Sequence, residues 1–134
     1  MGNLLEKIHS PEDLKGMGRQ ELEQLCDEMR ELIIHTVSDN GGHLASNLGV
    51  VELAVALGVA FQPPQDAIVW HVVHQSYPYK LLTGRYQDFH TLRQEGGLSG
   101  FPCREESVYD SFTSGHSSTS ISSALGVSEA SHQQ

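Results

Sequence analysis

Ala67-Ile68-Val69-Trp70-His71-Val72-Val73, followed at once by His74-Gln75-Ser76-Tyr77-Pro78, is the stretch on which the fold turns. The run is β-branched and apolar, and Pro63-Pro64-Gln65-Asp66 precedes it as a turn signal. That is the pattern of a strand buried on both faces in a parallel sheet. Ligands of open α/β sheets bind outside the carboxyl ends of the strands, so His74 is expected at the ligand-binding end. His71 and His74 project to opposite faces of a strand, which argues against a shared zinc ion.

On the N-terminal side the pattern is helical. Asn3 to Ile8 reads as a short amphipathic helix, and Ser10-Pro11-Glu12-Asp13 as a helix start that Gly16 and Gly18 break. Arg19 to about Ser38 carries Leu22, Leu25, Met29, Leu32, Ile33 and Thr36 on one face, the clearest helix of the chain. His35 near its end suits the helix dipole. Ser38-Asp39-Asn40-Gly41-Gly42 is a loop signal that sets His43 on a glycine hinge. Ser46 or Asn47 is expected to cap the next helix, Leu48 to about Phe61, which is apolar nearly all round and therefore expected in the core.

On the C-terminal side, Tyr79 to Thr83 and Gln87 to Arg93 read as short helices joined by Gly84-Arg85. Gly96-Gly97-Leu98-Ser99-Gly100-Phe101-Pro102 is a functional-length loop, and Val108 to Phe112 a second short strand. Gly115-His116-Ser117-Ser118-Thr119-Ser120-Ile121-Ser122 turns from loop into helix. Its free N–H groups and serine hydroxyls offer a receptor for a phosphate or diphosphate; an ordinary Ser/Thr cap is the plainer reading.

The chain has 134 residues, 38% hydrophobic and 19% charged, enough for one domain with a core. A net charge of −9 argues against nucleic acid or an anionic membrane as partner, and no apolar run approaches the roughly 20 residues of a membrane span. Lys80, Arg85, Arg93 and Arg104 fall in one short span that a phosphate-bearing ligand could use, or that forms a solvated face. Cys26 and Cys103 fit neither a metal-ligand spacing nor a disulfide framework, so a reducing compartment is the default. Gly115-His116-Ser117-Ser118-Thr119 is a poor nucleophile elbow because Thr119 replaces the last glycine, leaving serine hydrolysis a weak alternative. His43, His74 and His116, each on a predicted loop, together favour one shared site for proton relay.

Gly41-Gly42-His43-Leu44-Ala45-Ser46-Asn47-Leu48-Gly49, His74-Gln75, Lys80-Leu81-Leu82-Thr83-Gly84-Arg85, Gly96 to Pro102 and Gly115 to Ser122 resemble, in this order, the signatures of 1-deoxy-D-xylulose-5-phosphate synthases. These are thiamine-diphosphate enzymes related to transketolase. The resemblance spans about residues 3 to 127. It implies an α/β fold: residues 1–134 as the helix-rich N-terminal portion of a doubly wound parallel-sheet, thiamine-diphosphate-binding domain. It implies condensation of pyruvate with D-glyceraldehyde 3-phosphate, a cytoplasmic (or plastid) setting and a homodimeric parent enzyme. By position, His74, Gly115, His116 and Ser117 match cofactor-binding residues, and His43 a proton-handling histidine. The Mg²⁺ signature and the cofactor-activating glutamate of the family are expected beyond Gln134, so no metal ligand is assigned and the chain alone is expected to be inactive. Where the family usually has Asp and Gly, this chain has His71 and Val73. A non-catalytic remnant or binding module is the alternative reading.

Overall fold

The computed structural model describes residues 3–70, 75–113 and 119–133. Five α-helices occur among them: α1 (Arg19–Asn40), α2 (Ala45–Leu48), α3 (Val51–Ala60), α4 (Tyr77–Leu82) and α5 (Ser120–Gln133). Short 3-10 turns at Leu5–Lys7, Pro11–Leu14 and Phe89–Thr91 complete the regular structure. At Pro11–Leu14, Asp13 Oδ2 accepts the N–H groups of His9 and Ser10 at 2.8 and 3.2 Å, closing the predicted helix start.

The core forms where α1, α3 and α4 meet. Leu25, Met29 and Ile33 of α1 are fully buried, as are Val51 of α3 and Tyr77 and Leu81 of α4. Each large apolar side chain so buried contributes about 1.5–3 kcal/mol relative to exposure. The predicted apolar face of α1 is therefore the buried one, with Leu22 and Leu32 at its edges. Outside the core, His35 is exposed and lies 3.5 Å from Asp39.

α1 runs two residues past the expected end. Asn40 holds the last turn in place: its Nδ2 donates to the carbonyls of His90 and Leu92, both at 2.9 Å. The helix then stops at Gly41, whose φ of 78° ends the helical path.

Two expectations are corrected. The helix from Leu48 to Phe61 is split at Gly49–Val50, and it is not enclosed: Leu53, Val59 and Phe61 are exposed. An all-apolar helix needs cover on both sides, and the described residues supply it on one. No strand occurs among the described residues. Ala67–Trp70 has no ladder partner there, and Val108, expected within a strand, lies in a turn and is 79% exposed. The two segments touch at one point, where Ser111 Oγ donates to Ile68 O at 3.3 Å. A ladder needs successive backbone pairs, and one side-chain bond does not make it. His71 to His74 lie outside the described residues. α5 starts at Ser120, where the serine-rich stretch was expected to become helical, and its Ile121 and Leu125 are exposed.

Candidate functional site

His43 is exposed at the end of the Gly41-Gly42 hinge, with φ of 78° and 133° at the two glycines. Only glycine takes such values at little cost. The hinge is anchored from below by Asn47, which is fully buried in α2. Asn47 Nδ2 donates to the His43 carbonyl at 2.6 Å, and Asn47 Oδ1 accepts the Tyr77 N–H at 2.9 Å. One amide thus joins the His43 loop to the start of α4, three residues after His74. Asn47 was expected only as a helix cap. It is a bridge instead, and this depends on tertiary placement that a capping pattern does not encode.

Above the amide sits a second contact. A Cβ at Gly42 would lie 2.7 Å from Tyr77 Oη, a hydroxyl that is buried and has no hydrogen-bond partner among the described residues. Ser76 Oγ is likewise buried and unpartnered among the described residues. Arg93 Nη1 would be 3.4 Å from the same Cβ, and 3.7 Å from one at Gly41. Arg93 is exposed and forms no ion pair among the described residues. Bare backbone, an orphaned hydroxyl and a free guanidinium therefore meet at His43. Gly42→Ala should destabilise the chain by about 1–3 kcal/mol through the forced φ and the clash with Tyr77. Thermal unfolding of the two chains checks it; an unchanged midpoint would show that the hinge has room.

Lys80 and Arg85, expected to be either phosphate ligands or a solvated face, are neither. Lys80 is 0% exposed and Arg85 6%. Lys80 Nζ lies 2.6 Å from Glu106 Oε1, and Arg85 Nη1 lies 3.0 Å from the same oxygen. Arg85 also grips Asp110 with both terminal nitrogens, at 2.7 and 2.9 Å, and donates to Thr83 Oγ1 at 2.6 Å. Burial pushes the Lys80 ammonium below its ordinary value despite Glu106. Burial also opposes the charge on Arg85, but its bonds to Asp110 and Glu106 outweigh it and hold the guanidinium above its ordinary value. Two positive and two negative groups cancel, which makes their joint burial tolerable.

His74, Gly115, His116 and Ser117 lie outside the described residues. Their described flanks are Gln75, half-buried, and Thr119, at the entry to α5. Among the described residues no group of three or more His, Cys, Asp or Glu side chains could hold a metal ion. A groove of about 710 Å³ between α1 and α3 is lined by Leu22, Cys26, Arg30, Glu52, Val55 and Val59, and by no residue of the His43 loop. Burial raises the Cys26 thiol there, so it is a poor nucleophile. No helix among the described residues is long and apolar enough to cross a membrane.

The family model described as 1-deoxy-D-xylulose-5-phosphate synthase matches residues 5–134. A protein of Methylobacillus flagellatus bearing that name is 55% identical over 130 residues, 97% of this chain and 21% of its own length. Namesakes from Halothermothrix orenii and Heliobacterium modesticaldum are 58% and 60% identical over 127 and 126 residues, covering 95% and 94% of this chain and 20% of each relative. The chain thus spans about one fifth of the length of the relatives it matches. The hinge at His43, its Asn47 bridge and the buried Lys80–Arg85 cluster all fall inside this match, and the chain belongs to the 1-deoxy-D-xylulose-5-phosphate synthase family.

Proposed function

We propose that the chain is the N-terminal part of the cofactor-binding domain of an enzyme that condenses pyruvate with D-glyceraldehyde 3-phosphate, releasing CO₂ and forming 1-deoxy-D-xylulose 5-phosphate. The observation that carries this reading is the Asn47 bridge, which ties the His43 loop to the segment that follows His74. Thiamine diphosphate, when bound, supplies a nucleophilic carbon and an electron sink. The described part of the site suits such a guest: backbone without side chains at Gly41-Gly42, and Tyr77 Oη awaiting a partner.

In this reading His74, Gly115, His116 and Ser117 hold the cofactor, the last three around its diphosphate. His43 handles protons at the reacting carbon, a role for which a histidine side chain is suited. Arg93 faces the negative charge of the carboxylate or the phosphate of the substrates. Mg²⁺ accompanies the diphosphate, with ligands supplied from outside this chain. The complete domain is built around a doubly wound parallel sheet. The complete enzyme is a cytoplasmic homodimer.

Three measurements test this. The chain alone should form no product, and calorimetric titration with thiamine diphosphate, with and without Mg²⁺, should show weak binding at most. Exchanged for the matching segment of the Heliobacterium modesticaldum relative, the chain should support synthesis, and His43→Ala in that chimera should lower turnover by about 10²–10⁴-fold. A folded but inactive chimera would favour a non-catalytic remnant. That second reading draws on the exposed Leu53, Phe61, Ile121 and Leu125, which suit self-association.

A further inference from the structure

The carboxylates of the buried cluster do more than neutralise Lys80 and Arg85. Glu106 Oε2 accepts the Ser99 N–H at 2.9 Å, and Asp110 Oδ2 accepts the Cys103 N–H at 2.9 Å. The loop between these bonds is thus held at both ends by acceptors that are themselves fixed by buried cations. The same loop supports Arg93. The Arg93 N–H donates to Leu98 O at 2.7 Å, and Arg93 takes a φ of 64°, which a side-chain-bearing residue rarely adopts. Gly100 passes beneath it so closely that a Cβ there would lie 2.9 Å from Arg93 Cγ. The other end of Arg93 lies against Gly41 and Gly42, next to His43.

We propose that Lys80, Arg85, Glu106 and Asp110 form a positioning cluster: they clasp the Ser99–Cys103 loop, and the loop sets the Arg93 guanidinium at the His43 hinge. The four residues are positioning residues and touch no substrate. The functional meaning of the clasp rests on the reading of His43 and Arg93 given above, whereas its mechanics do not. Buried charges suit the task because a carboxylate gripped by a guanidinium fork has one orientation, and its remaining lone pairs then point at fixed places. A neutral side chain free to rotate would hold the loop less strictly.

The two cysteines provide the test in the intact chain. Cys103 lies in the clasped segment, and Cys26 in the core, 6% exposed. Glu106→Gln presents an amide N–H₂ to one of the two sides that now meet a carboxylate oxygen, and Ser99→Pro removes the clasped N–H while leaving all four charges in place. In either variant, thiol labelling of Cys103 should quicken by about tenfold or more while Cys26 stays protected. The amide resonances of Gly41 and Gly42 should shift as Arg93 leaves its seat, a change that a general loss of stability would not produce. Unchanged Cys103 labelling, or unmoved glycine amides in a chain whose Cys26 is protected, overturns the proposal. Cys26 accelerating together with Cys103 in both variants overturns it too, because the cluster would then serve stability alone. None of these readouts uses a cofactor, so weak thiamine diphosphate binding or an inactive chimera bears on the functional reading and leaves the clasp to its own test.

Discussion

Arg85→Ala should cost the fold about 3–5 kcal/mol, the usual result of deleting one member of a buried ion pair. The reason is what stays behind. Asp110, 6% exposed, would lose both bonds to its cationic partner, and Thr83 Oγ1 would lose a donor. Of its two cationic partners Glu106 would keep Lys80, whose ammonium is already pushed down by burial. Domains are stable by about 5–15 kcal/mol in total, so the loss would take a large share of the reserve. Urea unfolding measures it, and a loss below about 1 kcal/mol would mean that solvent screens the cluster. Replacing the pair together, Arg85→Met with Asp110→Leu, should recover part of the stability, because no uncompensated charge is left on that arm.

Asn47→Ala should cost about 2–4 kcal/mol, since it strands the buried Tyr77 N–H and takes a donor from the His43 carbonyl. Asn47→Asp separates the two bonds. The introduced carboxylate can still accept from Tyr77, but it has no hydrogen for His43 and faces a carbonyl oxygen instead. Burial and that carbonyl raise its folded-state pKa above the unfolded value of about 3.9. The sign follows: the variant is penalised at neutral pH, and the penalty fades as pH falls through the raised folded-state value towards the unfolded one, because the protonated acid can donate. The gap between the parent chain and Asn47→Asp should therefore narrow on acidification. A gap independent of pH would show that solvent reaches Asn47.

The helical half of the chain was legible because its signals are local. The periodic face of α1 needs no knowledge of the rest of the molecule, and the buried Leu25, Met29 and Ile33 lie where the 3.6-residue period puts them; its end, expected at about Ser38, falls two residues later because Asn40 is held by distant carbonyls. The hinge at Gly41-Gly42 was legible for the same reason. The roles of Asn47, Lys80 and Arg85 were not. An asparagine before an apolar run reads as a cap, and basic residues in a short span read as surface, unless one knows that Glu106 and Asp110 fold back onto them from more than 20 positions away. Glu106 and Asp110 carried no such signal, since acids in a chain of net charge −9 are unremarkable one by one. Ala67–Trp70 shows the opposite failure: β-branched composition marks a segment suited to a strand, but a strand exists only with a neighbour to bond.

Asn40 gives α1 a consequence of its own. At 22 residues the helix is a strut of about 33 Å. Near its middle, Glu28 Oε1 accepts the Leu5 N–H, and at its end Asn40 is stitched to the carbonyls of His90 and Leu92. Adding or deleting one residue between these points would turn Asn40 by about 100° and carry it off its stitches. Gene lineages can therefore vary the letters along the outer side of this strut with some freedom while its length stays locked. Insertions belong instead at places such as Gly16 or Gly96, where the chain turns in open space.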